Sequence, residues 1–88
     1  MANQKIAIVT GAGSGIGQAI AKRLAAEGVT VGLFDIREEA ANETLGQITQ
    51  HGGSGLTVVC DITDYASVVS AVNSFETRCG SPTDILVN

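Results

Sequence analysis

The chain has 88 residues, 44% of them apolar but only 3% aromatic, with a formal net charge of −4. That is one small domain or part of one, and its core must be built from Val, Ile, Leu and Ala. So acidic a chain has no electrostatic footprint for nucleic acid and no basic face for a membrane surface.

The apolar runs are too short for a signal-peptide core or a spanning helix, which predicts a cytoplasmic protein. A metal site is not expected either. His51 is the only histidine, and Cys60 and Cys79 stand outside any CxxC spacing.

Lys5 to Thr10 (KIAIVT) is a short apolar, β-branched run and reads as a strand that opens into glycines. Ile16, Ile20 and Leu24 then recur every four residues with Ala19 between, one face of a helix that Gly28 ends. Val29 to Phe34 (VTVGLF) is a second strand, closed by Asp35. From Arg37 to His51, Ala41, Leu45 and Ile48 share a face opposite the glutamates, the pattern of an amphipathic helix. Gly52 to Gly55 reads as a turn and Leu56 to Cys60 (LTVVC) as a third strand, closed by Asp61. Asp64 is a helix N-cap, followed by Val68, Val72, Phe75 and Cys79 on one face. Gly80, Ser81 and Pro82 break that helix, and Asp84 to Val87 starts a fourth strand before Asn88.

The order is β-α-β-α-β-α-β, with apolar strands and amphipathic helices. Strands covered on both faces read this way, so an α/β fold with a parallel sheet is expected. Right-handed crossovers give strand order 3-2-1-4, the Rossmann-type arrangement. Residues 1–88 would then form the N-terminal half of a dinucleotide-binding domain, truncated after the fourth strand. The substrate lies beyond such a half, because substrate loops in this fold follow the later strands.

The turn after the first strand is Thr10-Gly11-Ala12-Gly13-Ser14-Gly15-Ile16-Gly17. It lacks the Gly-Lys pair of a phosphate loop and the spacing of strict GxGxxG. It fits TGxxxGxG, on Gly11, Gly15 and Gly17. A strand that turns sharply into a helix aimed at a pyrophosphate needs residues without Cβ, for positive φ and for close approach of backbone to phosphate. Gly17 would let the helix pack on the strand. Ile16 would offer its amide while its side chain enters the core, and Ser14 could bond a ribose or phosphate oxygen.

Asp35 could accept hydrogen bonds from both hydroxyls of an adenosine ribose and would repel a 2′-phosphate, which favours NAD over NADP. A cap for the next helix is its other reading. Arg37 could reach a 2′-phosphate, stack on adenine, or be a plain surface charge. Asp61 could bond the adenine amino group beside the Ile62 backbone, or be a turn residue within Asp-Ile-Thr-Asp. Asp84 reads as structural.

Together TGAGSGIG (10–17), FD (34–35), CDITD (60–64) and DILVN (84–88) resemble the short-chain dehydrogenase/reductase family, in order and spacing along the whole chain. The resemblance implies that Gly11, Ser14, Gly15, Ile16 and Gly17 line the pyrophosphate and ribose. It implies that Asp35 selects NAD, that Asp61 and Ile62 hold adenine, and that Asn88 is the first Asn of the family's NNAG segment, beside the ribose. It also implies hydride transfer between NAD and an alcohol or ketone, of 3-oxoacyl/3-hydroxyacyl type among others, by a homodimer or homotetramer. The family puts an apolar residue where Thr83 stands, so the fourth strand is expected to start late. The family's catalytic Ser, Asn and Tyr-x-x-x-Lys follow NNAG and have no counterpart here, so no catalytic residue is assigned. Tyr65, at the start of a helix, is structural.

Two other readings compete. One is a stand-alone, non-catalytic nucleotide-binding fragment. The other is an S-adenosylmethionine methyltransferase, which shares a glycine turn and an acidic end to strand two, but the Thr-Gly start and the DILVN segment oppose it.

Overall fold

The computed structural model describes residues 4–88. Seven elements follow in chain order: β1 (Ile6–Thr10), α1 (Gly15–Ala26), β2 (Thr30–Asp35), α2 (Glu38–Gln50), β3 (Ser54–Val59), α3 (Tyr65–Cys79) and β4 (Ile85–Val87). The strands form one sheet in the order β3-β2-β1-β4, and every pairing is parallel. No helix among the described residues is long and apolar enough to cross a membrane.

Side chains alternate across a strand, so the central strands feed two cores. Ala7 and Val9 of β1 join Val31 and Leu33 of β2 beneath α1 and α2. Ile6 and Ile8 join Phe34, Ala71 and Phe75 on the other face, beneath α3. Phe75 is the largest fully buried side chain and meets Phe34 edge to face, with ring centroids 5.8 Å apart. Gly32 makes the room: a Cβ there would lie 2.8 Å from the Phe75 ring.

The start of the third strand differs most from expectation. Residues 52–55 are not all turn, since Ser54 and Gly55 open β3 by pairing with Thr30 and Val31. Parallel pairing with a central strand outweighs the weak strand preference of Ser and Gly. Helix α1 ends where expected: Glu27 is its C-cap, and Gly28 follows with φ +90°, its amide donating to the Ala25 carbonyl and that of Val29 to the Leu24 carbonyl. Ile20 and Leu24 pack against the core as expected, beside the buried Ala21 and Ala25, whereas Ile16 and Ala19 face outward. Strand β4 starts at Ile85, as the polar Thr83 led us to expect, because Asp84 is spent on an anchor. Its Oδ2 accepts from the Ile6 amide at 2.9 Å, while its own amide donates to the Ile6 carbonyl.

Asp64 caps α3, accepting from the amides of Ala66 at 3.1 Å and Ser67 at 3.4 Å. Asp64→Ala is expected to cost about 1 kcal/mol, a fall of roughly 4–8 °C in Tm for a domain of this size. Denaturant unfolding checks this, and an unchanged midpoint would show that the cap contributes nothing.

Candidate functional site

The C-terminal ends of the strands are tied together by a belt of hydrogen bonds, and the glycine turn sits inside it. Thr10 ends β1, and its hydroxyl donates to Asn88 Oδ1 at 2.8 Å, joining β1 to the end of β4. The Ala12 amide donates to the Phe34 carbonyl at 3.3 Å, which lays the turn against β2. The Cys60 amide donates to the Asp35 carbonyl at 3.1 Å, which draws the exit of β3 to the same edge.

The turn itself needs its glycines. Gly11 and Gly15 have φ of +62° and +58°, and a Cβ at either would meet nothing within 4 Å. Both therefore combine a left-handed backbone with open space above it, the geometry that lets a ligand approach the main chain. Gly17 is the opposite case. A Cβ there would stand 2.3 Å from the Gly11 carbonyl oxygen, so backbone packs on backbone and sets the helix phase. That phase corrects the placement of Ile16. One residue before Gly17, it turns away from the sheet, and its side chain is 79% exposed instead of entering the core.

The start of α1 differs from those of its neighbours. Asp64 closes α3, and Glu38 and Glu39 place negative charge in the first turn of α2. The first turn of α1 has no acidic residue, and the Ser14 side chain makes no capping bond although its extended backbone (φ −160°) is that of an N-cap. The exposed Ser14 hydroxyl thus leaves the partial positive charge of the helix terminus uncapped by its own side chain.

Asp35 is buried at the end of β2. Its Oδ2 accepts from the Gly13 amide at 2.8 Å and its Oδ1 from the Arg37 amide at 2.9 Å. A carboxylate has roughly four lone-pair sites, so about two remain for further donors. It therefore acts both as a clamp on the turn and as an acceptor at its rim. Arg37 takes the N-cap position of α2 with an exposed side chain.

Asp61 Oδ1 accepts from the Thr63 amide at 3.0 Å and the Thr63 hydroxyl at 2.6 Å. Those bonds hold its carboxyl below the usual carboxylate range. Ile62 follows it with 57% of its surface exposed, and Ile36, which follows Asp35, is 63% exposed. Tyr65 is exposed at the first position of α3.

Three contributors escaped the sequence. Gly13 stands outside the TGxxxGxG glycines, yet a Cβ there would meet Ala40 Cβ at 2.5 Å and Asp35 Oδ2 at 2.7 Å. Thr44 is fully buried on α2 and donates to the Ala12 carbonyl at 2.9 Å. Gln18 on α1 donates to Thr44 Oγ1 at 3.0 Å. The available signal for Thr44 was periodicity, since it lies between Ala41 and Ile48 on the buried face of α2. A cleft of about 680 Å³ lies at the opposite end of the sheet among Lys5, Thr30, Ser54, Arg78 and Asp84. It collects strand starts, away from the turn, and ligands of open parallel sheets bind outside the carboxyl ends of the strands.

Fold and turn together define the class: a Rossmann-type half-sheet with an open glycine turn at its first strand–helix junction. A family profile described as short chain dehydrogenase matches residues 5–88, and the chain belongs to that family. It is 43% identical over 84 residues to the 7alpha-hydroxysteroid dehydrogenase of Escherichia coli K12, covering 96% of this chain and 32% of that protein. A solved 7 alpha-hydroxysteroid dehydrogenase complexed with NADH and 7-oxo glycochenodeoxycholic acid superposes with a TM-score of 0.91 at 40% identity, covering 96% of this chain and 32% of that one. A metagenomic short-chain oxidoreductase in complex with NADP gives a TM-score of 0.88 at 29% identity, over 93% of this chain and 37% of that one. The chain thus spans about a third of the length of the relatives it matches. Relatives bind NAD(H) or NADP.

Proposed function

We propose that this chain is the N-terminal, NAD-binding portion of an oxidoreductase that transfers hydride between NAD(H) and an alcohol or ketone. The observation that carries the preference for NAD is Asp35, a buried carboxylate held by the Gly13 and Arg37 amides at the rim of the open turn. Its two remaining acceptor sites suit the two hydroxyls of an adenosine ribose. A 2′-phosphate would bring a second negative group against it.

Gly11 and Gly15 let the pyrophosphate reach the main chain, and the amides of Ile16 and Gly17 donate to it from the uncapped end of α1. Ser14 bonds a ribose or phosphate oxygen with its free hydroxyl. Asp61 accepts from the adenine amino group, and the exposed Ile36 and Ile62 give the base its apolar surroundings. Asn88, held by Thr10, borders the ribose. Bound NAD supplies a nicotinamide ring that takes or gives hydride. The whole protein then works in the cytoplasm as a homodimer or homotetramer.

Titration calorimetry of the chain with NAD and with NADP tests the cofactor. NAD is expected to bind about 100-fold more tightly, roughly 2.7 kcal/mol, a size in keeping with one close like-charge pair near a protein surface. Equal affinities would remove the role given to Asp35, and no binding of either would remove the nucleotide site.

A further inference from the structure

We propose that Thr44 is a positioning residue for the glycine turn, acting through the peptide group between Ala12 and Gly13. The proposal rests on the reading of that turn as the pyrophosphate cradle. The carbonyl of Ala12 and the amide of Gly13 belong to one planar unit and point in opposite directions. Thr44 Oγ1 donates to that carbonyl at 2.9 Å, and Asp35 Oδ2 accepts from that amide at 2.8 Å. The plane is gripped from both sides, by α2 at one edge and by the end of β2 at the other. Its rotation sets the direction in which the chain enters Ser14 and Gly15.

The Thr44 hydroxyl is committed to this task. A helical threonine commonly bonds back to the carbonyl four residues earlier. Here that contact, to Ala40, is the longer one at 3.4 Å. Gln18 donates to the same oxygen at 3.0 Å, which aims the Thr44 proton at Ala12 and links α1 to the clamp. Ala12 and Thr44 are both fully buried, so water cannot replace the bond. A side chain at position 13 could not substitute for the clamp, because Ala40 and Asp35 fill the space that a Cβ would need.

The test compares Thr44→Val, which keeps the shape and loses the hydroxyl, with Thr44→Ser, which keeps the hydroxyl. Amide hydrogen exchange is followed at Gly13 and in the β1 interior, and NAD affinity is measured by calorimetry. Thr44→Val is expected to speed exchange at Gly13 by about tenfold relative to the β1 amides and to weaken NAD about tenfold, the scale of one lost buried hydrogen bond. Thr44→Ser should restore both to within about threefold of the wild type. A merely structural role predicts a lower Tm with uniform acceleration of exchange and unchanged affinity, and that result overturns the proposal. So does a Thr44→Ser protein that behaves like Thr44→Val. If the wild type binds no NAD, the cofactor reading falls, while the Gly13 exchange still decides whether Thr44 holds the turn.

Discussion

Gly17→Ala is expected to lower Tm by roughly 10–20 °C and to remove measurable NAD binding, the largest effect foreseen for a single methyl group in this chain. The added Cβ would lie 2.3 Å from the Gly11 oxygen and 2.9 Å from the Gly11 carbonyl carbon. Both are backbone atoms, so no rotamer change relieves the clash, and α1 must move off β1 or the turn must deform. Overpacking commonly costs about 1–3 kcal/mol, and a clash with backbone belongs at the upper end. A domain of this size holds only about 5–10 kcal/mol in all, so that loss is a large share. Binding suffers further because Gly11 carries the left-handed turn that opens the main chain to a ligand. Gly46→Ala is the matched control. Gly46 lies within α2 and has nothing within 4 Å of a Cβ, so the same chemical change should stabilise the helix by about 0.5–1 kcal/mol. Calorimetric melting of both variants is decisive, and a Gly17→Ala protein that melts and binds like the wild type would show that the helix does not rest on the turn.

The contrast between these two glycines explains what was legible in the sequence. Element type and order followed from periodicity: the apolar runs became β1 to β4, and the amphipathic stretches became three helices. The strand order followed from right-handed crossovers taken together with the Rossmann-type arrangement. Helix phase was less secure. Large apolar residues at a four-residue spacing suggested that Ile16 faces the core, whereas Gly17, Ala21 and Ala25, the small residues, lie against the sheet. Close approach of helix to strand selects small side chains, and a hydrophobicity pattern weights them least. The start of β3 was hidden for a related reason, since Ser54 and Gly55 owe their strand conformation to partners on β2. At the site, the residues proposed to face the cofactor stand in recognisable motifs. Those that hold the turn from behind did not. Thr44 and Gln18 are remote from it in sequence, and only the packing of α1 beside α2 brings them to Ala12. Gly13 is visible in the turn, but nothing in the sequence shows that its missing side chain leaves the space that Ala40 and Asp35 fill.

Asp35→Asn should separate the two tasks of the carboxylate at the end of β2. The change is nearly isosteric and removes the charge together with one acceptor. In the wild type both oxygens accept backbone amides, from Gly13 and from Arg37. An Asn side chain can accept with one oxygen only, and its NH2 group must then face the other amide, donor against donor. In a buried site an orphaned donor costs about 1–3 kcal/mol, so Tm is expected to fall by roughly 4–15 °C. NAD should bind about 10- to 100-fold more weakly, because the ribose hydroxyls lose charge-assisted acceptors. NADP should lose far less, since the negative group opposing its 2′-phosphate is gone, and the exposed Arg37 beside it remains to attract that phosphate. The ratio of the two affinities is therefore the informative quantity, expected to fall from about 100 towards 1. It also separates this account from simple loss of structure: a turn that merely loosens weakens both nucleotides alike and leaves the ratio where it was. Paired titrations of wild type and variant with NAD and NADP give that ratio directly. An unchanged ratio would assign cofactor choice to other residues and leave Asp35 only the task of holding the glycine turn.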